Sequence, residues 1–155
     1  MNTINEAKDY LRINCKEGVN CPCCGQLVKV YKRVIYSTTA RDLIKLYLMH
    51  ETNGWDKYYH IVEILDEKKS GGGDFAKFLH WKLVEEMPKD ENNTQKRTSG
   101  FWKLTSAGKM FVENKLKVRK YVLLYNSKVL GFEGDKINIK ECLGENFNYE
   151  ELMKR

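Results

Sequence analysis

SGGGDFAKFLHWKLVEEMPKDENNTQKRTSGFWKLTSAGKMFVEN, residues 70–114, carries the pattern that decides the fold. A glycine triplet punctuates its start, and Asp74 is a good cap for a helix over 75–82, with Phe75, Phe78 and Leu79 on one apolar face. Residues 83–87 then read as a short strand. The polar run PKDENNTQKRTSG, residues 88–100, can only be a loop. Residues 101–104 return as a strand, and Thr105 caps a helix through about Asn114, with Ala107, Met110 and Phe111 inward.

Upstream, Ser37, Thr38 and Thr39 offer N-caps for a helix whose Ala40, Leu43, Ile44, Tyr47 and Leu48 fall at i, i+3, i+4, i+7 and i+8. Gly54 follows that helix, and residues 58–69 form a short apolar segment ending in charges. The order helix, short helix, helix, strand, charged loop, strand, helix is that of a winged helix-turn-helix. Its third helix is the reader and its hairpin loop the wing.

Further out, Ile4, Ala7, Tyr10 and Leu11 mark a helix over residues 3–15, and residues 26–36 are extended or irregular. Residues 121–125 and 128–132 are apolar runs around Asn126-Ser127, a hairpin signal short of the ideal Asn-Gly. Gly134-Asp135 reads as a second turn before Ile137 and Ile139. Asn148 with Glu151 opens a short final helix. The expected fold class is α+β: a cysteine-bearing N-terminal appendage (1–36), a winged-helix core (37–118), and a C-terminal hairpin and short helix packed on it (119–155).

A chain of 155 residues, 42% of them hydrophobic, can bury roughly 70% of its unfolded surface without staples. Charged residues make up 31%, and no apolar run approaches the ~20 residues of a membrane span. The opening MNTINEAKDYLRIN has no apolar h-region, so no secretory signal is expected. Five cysteines, three of them at 21, 23 and 24, do not make a disulfide framework and suit a reducing compartment. The expected location is the cytoplasm.

The net charge of +6 is unevenly spread. Residues 1–67 hold nine basic and nine acidic side chains; residues 68–120 hold thirteen against six; residues 121–155 hold five against six. A basic middle third is the footprint of a polyanion binder, although a solvated lysine-rich face gives the same count.

Three sites compete for a role. Cys21-Pro22-Cys23-Cys24-Gly25 fits a zinc knuckle, in which Cys21 and Cys24 would grip one structural zinc. A closed site needs four donors, and Cys15, Cys23, Cys142, His50, His60 and His80 are the available completions. Small cysteines beside a turn also need no metal at all.

On the reader helix, Lys77 and His80 face away from the apolar side and Lys82 sits at the end, near where phosphates would run. It has no Arg, Asn or Gln for bidentate base contacts. Lys96 and Arg97 on the wing, and Lys103 on the following strand, complete the expected nucleic-acid contacts, opposed by Asp90 and Glu91. Lys115, Lys117, Arg119 and Lys120 add to the same basic third. Most of the aromatics fall at spacings that suit a core.

Catalysis has little support: the three histidines are dispersed, and there is no P-loop, H-E-x-x-H or G-x-S-x-G. A non-enzyme is expected.

Six blocks in order carry a wider likeness: CPCCGQLVKVYKR (21–33), STTARDLIKLY (37–47), GGGDFAKFLHWKLVEE (71–86), SGFWKLTSAGKMFV (99–112), YVLLYNSKVLGFEGD (121–135) and FNYEELM (147–153). The chain resembles a group of small phage and prophage proteins over most of residues 21–153. That resemblance implies a viral protein at work in a bacterial cytoplasm, a setting more than a chemistry. The leading expectation is a non-catalytic regulator or accessory factor that binds nucleic acid, duplex DNA above all, and that forms a homodimer as winged-helix proteins often do. The rival is an inhibitor that binds a host protein of a bacterial defence system.

Overall fold

Thr3 accepts the backbone N–H of Glu6 at 3.1 Å and so caps α1, Ile4–Asn14, in the computed structural model, which describes residues 3–65, 72–89 and 99–154. After α1 come β1 (Val19–Asn20) and β2 (Leu27–Val28), an antiparallel pair that closes around the cysteine turn. Next is β3, Tyr31–Val34, the only part of the expected 26–36 extended stretch that joins a larger sheet. Its partners lie far along the chain. β7 (Val118–Tyr125) and β8 (Lys128–Ile137) form a hairpin, and β7 sits between β3 and β8, with Lys32 opposite Leu123 and Arg33 opposite Val122.

Asn126 and Ser127 turn that hairpin with φ of 50° and 64°, the left-handed pair that a two-residue turn demands. The second turn expected at Gly134-Asp135 does not form, because β8 runs on to Ile137. Gly134 lies within the strand at φ 83°, a backbone conformation that glycine adopts freely.

The chain divides into two units, one of residues 1–34 with 121–134, the other of residues 35–120 with 135–155. The segments set apart in the sequence (1–36, 37–118 and 119–155) are thus redistributed. Most of the C-terminal hairpin belongs with the N-terminal segment, because β3 supplies its third strand.

The second unit is organised on α2, Ser37–Asn53. Its N-cap is Tyr36, which makes no side-chain cap bond, so none of Ser37, Thr38 and Thr39 serves in that position. The Thr39 hydroxyl instead donates back to the Tyr36 carbonyl at 2.8 Å. Residues 58–69 hold β4 (Tyr59–His60) and α3 (Ile61–Ile64), with His60 as N-cap. α4, Gly72–Ala76, begins within the glycines, so Asp74 lies inside the helix and does not cap it; a 3-10 turn over Lys77–Leu79 continues it.

β5 (Val84–Glu86) and β6 (Phe101–Leu104) follow, and the sheet runs β4-β6-β5, antiparallel throughout. Thr105 caps α5, Ser106–Val112, by accepting from Gly108 at 3.0 Å. Phe111 points in as expected, but Met110 is 43% exposed, and Gly108 and Val112 take the inner positions. Gly108 lies against the Leu83 carbonyl, where any Cβ would collide.

α6, Ile139–Leu143, opens on a complete capping box of Asn138 and Glu141, and Asn148 caps α7, Tyr149–Leu152. α2 packs against α3, α4, α5, α6, α7 and β6. The core between them centres on Leu43, Ile44, Phe75, Phe78, Trp102 and Phe111, all nearly or fully buried. Among the described residues, no helix is long and apolar enough to cross a membrane.

Candidate nucleic-acid interface

The segment from Gly72 to Lys82 is held from behind by its aromatics. Phe75 meets Phe78 edge-on at 5.3 Å and Trp102 at 5.8 Å, and the Trp81 indole donates to the Arg119 carbonyl at 2.9 Å. Lys82 adopts φ 59° and ends the segment in the open. This packing leaves Lys77, Leu79, His80 and Lys82 on the outer side.

Their chemistry is more restrained than the sequence suggested. Lys77 is paired to Asp74 at 3.0 Å, one helical turn back. His80 is half-buried, and burial first, then the Lys77 charge, lowers its pKa, so the ring is neutral at physiological pH. Lys103 pairs across the ladder with Glu85 at 3.3 Å and lies over the Tyr58 ring at 5.1 Å. Its ammonium pKa is raised, chiefly by the hydrogen bond to Glu85. Lys96 and Arg97 lie outside the described residues. Of the expected contacts within them, Lys82 carries an ammonium that forms no ion pair with the described residues.

The cysteine turn is well formed. Cys21 donates its N–H to the Gln26 carbonyl at 2.7 Å, Gly25 donates back to the Cys21 carbonyl at 2.8 Å, and the Cys23 N–H points at the Cys21 sulfur at 3.4 Å. Those backbone donors, Cys23 first and then Cys24, lower the Cys21 thiol pKa. In the expected knuckle Cys21 and Cys24 would be the donors to a metal. Among the described residues, no group of three or more His, Cys, Asp or Glu gathers where it could hold a metal ion.

Four of the expected completions, Cys15, Cys142, His50 and His60, are engaged elsewhere. The Cys15 thiol donates to the Arg12 carbonyl at 3.6 Å, and Cys142 is buried in the second unit with its pKa pushed up to about 12 by desolvation. His50 is wholly buried and stacked on Trp55 at 4.8 Å. His60 caps α3 through Nδ1.

The sequence assigned no role to Lys29, Tyr31 and Arg33. Their period-2 spacing in an extended stretch is the signal that could have grouped them, because alternate strand residues share a face. Both cations lie over the Tyr31 ring, Lys29 at 5.5 Å and Arg33 at 5.0 Å.

No protein-family model, curated protein or solved structure matches the chain.

Proposed function

We propose that the protein is a non-catalytic nucleic-acid-binding protein whose second unit is a winged-helix body. The observation that carries this reading is the sheet order β4-β6-β5, with β4 between α2 and α3, and β5 and β6 following α4 in the places of the two strands that flank a wing. β4 supplies the short first strand that a winged helix sets between its first two helices.

Binding in this account is driven by phosphate contact and does not read base sequence. The segment from Gly72 to Lys82 offers no Arg, Asn or Gln to a base edge, and Lys77 is already answered by Asp74. Lys82 is the cation of this segment that meets a duplex backbone, and by sequence Lys96 and Arg97 are proposed to join it. In the setting that the phage resemblance implies, such a protein is a regulator or accessory factor in phage nucleic-acid metabolism. The metal proposal attaches to the Cys21–Cys24 turn and does not enter this activity.

A second reading is favoured by the internal neutralisation of Lys77 by Asp74 and of Lys103 by Glu85. A face whose charges are already paired suits a protein partner, and an inhibitor of a bacterial defence system is that alternative.

Fluorescence anisotropy with a duplex of about 20 base pairs, an ordinary span for a single module, separates the two. Lys82→Ala/Lys96→Ala/Arg97→Ala is expected to weaken duplex binding at least ten-fold, and Lys77→Ala and Lys103→Ala far less. Equal binding by the triple variant and the wild type overturns the winged-helix contact, and a lysate partner retained at high salt supports the alternative.

A further inference from the structure

The first unit holds a cleft of about 480 Å³ lined by Lys16, Lys29, Val30, Tyr31, Lys32, Arg33, Leu123 and Glu133. Its volume lies within the range of small-ligand sites. Local folding brings the cations together. The Val30 N–H donates to the Cys15 carbonyl at 2.9 Å, which draws the end of α1, and Lys16 with it, beside the start of β3.

Four cations face one carboxylate in this cleft. Glu133 answers Lys32 at 3.0 Å, while Lys16, Lys29 and Arg33 form no ion pair with the described residues. Gathering like charges in a concavity raises the local potential and disfavours the empty site. An anion relieves that repulsion.

Beside them stands an aromatic ring. Tyr31 is 41% exposed, with Lys29 just ahead of its strand and Arg33 on it, both against its ring. A cationic groove with an exposed ring at its wall is the arrangement by which single strands are held without sequence preference: phosphates meet the cations and a base stacks on the ring.

We propose that this cleft binds a short stretch of single-stranded nucleic acid, with phosphates on Lys16, Lys29 and Arg33 and one base stacked on Tyr31. The ligand class follows the nucleic-acid reading above, but the residues belong to the other unit. An unwound strand fits better than a duplex because the site is concave and small, whereas a duplex presents a broad convex backbone. The same chemistry could come from a free nucleotide, and the test separates the two.

The probe is a labelled oligothymidylate of about 12 nucleotides, within the ~4–16 that a single-strand groove covers. Competition with thymidine monophosphate and a parallel titration of the duplex used above complete the design. Lys16→Ala/Lys29→Ala/Arg33→Ala is expected to weaken oligothymidylate binding more than ten-fold and to reduce the salt slope by about 2, at roughly 0.7 for each single-strand phosphate that is no longer neutralised. Tyr31→Ala is expected to weaken it about ten-fold, with Tyr31→Phe close to wild type. Circular dichroism checks that the variants remain folded.

Wild-type binding by the folded triple variant overturns the proposal. Displacement by thymidine monophosphate at matched nucleotide concentration overturns the strand in favour of a mononucleotide. Duplex binding is expected to survive the cleft variants and to fall with those at Lys82, Lys96 and Arg97. Wild-type protein that binds the oligothymidylate but not the duplex therefore marks failure of the winged-helix contact and leaves the cleft standing.

Discussion

His50 Nε2 accepts the backbone N–H of Leu104 at 3.1 Å, joining α2 to the central strand of the β4-β6-β5 sheet. Thr105 donates its N–H to Leu83 on the β5 side, so the preceding N–H points the other way. On that side the β4 ladder has already ended at Tyr59 opposite Trp102. The imidazole stands in for the missing strand residue. Its Nδ1–H lies 3.0 Å from the Gly54 carbonyl, which assigns the tautomer and makes the ring neutral.

A pH dependence follows. Burial holds the His50 pKa below its ordinary 6.5, with the Lys103 charge acting the same way and the Gly54 bond opposing. The unfolded chain therefore binds the extra proton first. Stability is full above about pH 6.5 and falls as the pH drops toward the folded pKa. His80, also lowered by burial, adds to the same limb. Thermal melts between about pH 7.5 and 5 are expected to show a falling Tm. His50→Phe, which can stack on Trp55 but cannot titrate, should lose about 1–3 kcal/mol at neutral pH and flatten the acid limb. An unchanged acid limb in His50→Phe contradicts this role.

Gly108 makes a second, purely steric prediction. A methyl there meets the Leu83 carbonyl oxygen and the Leu104 side chain, both in the packed core, so α5 has to move away from the sheet. Gly108→Ala is expected to destabilise by about 1–3 kcal/mol in denaturant titration, against the usual gain of alanine in a helix. A neutral or stabilising result would mean that α5 has slack.

The hairpin turn can be improved. Ser127 sits at φ 64°, a conformation that L side chains resist and glycine takes freely. Ser127→Gly converts the turn to Asn-Gly and should raise stability by about 0.5–1 kcal/mol in chemical denaturation. A loss would show that another interaction of the serine outweighs the turn preference.

Cys21 and Cys24 would supply half of a closed tetrahedral set, and among the described residues no group of three or more His, Cys, Asp or Glu gathers to complete it. Zinc taken up there is expected to be removed by a mild chelator, with uptake abolished in Cys21→Ser and Cys24→Ser and kept in Cys23→Ser, the spacer position. An equivalent that survives chelation would show two further donors closing the site.

Much of the second unit was legible in the sequence. α2 announces itself through five apolar positions on one helical face, and Thr105 and Asn148 cap the helices that they were expected to cap. Two-residue β4 has no room for alternation, and the Asn138–Glu141 box was hidden by the apparent turn at Gly134-Asp135. Pairing of β3 with β7 was illegible because it joins residues some ninety positions apart (Arg33 opposite Val122), which no local pattern encodes.

Charge was misleading for a related reason. Counting by stretches of sequence gives zero net charge over residues 1–67, yet strand alternation and the Val30–Cys15 bond concentrate Lys16, Lys29 and Arg33 in one cleft. In the basic middle third, Lys77 and Lys103 are answered by Asp74 and Glu85.

The central claim, that the chain binds nucleic acid through phosphate contacts, is tested most directly by the salt dependence of wild-type binding to a random duplex. A fall in log K of about 0.9 per phosphate contact predicts micromolar or tighter binding near 50 mM salt, vanishing progressively by about 200 mM. Failure to bind either duplex or single strand at the lowest salt contradicts the account, and the basic surfaces are then solvated faces or a dock for an acidic protein.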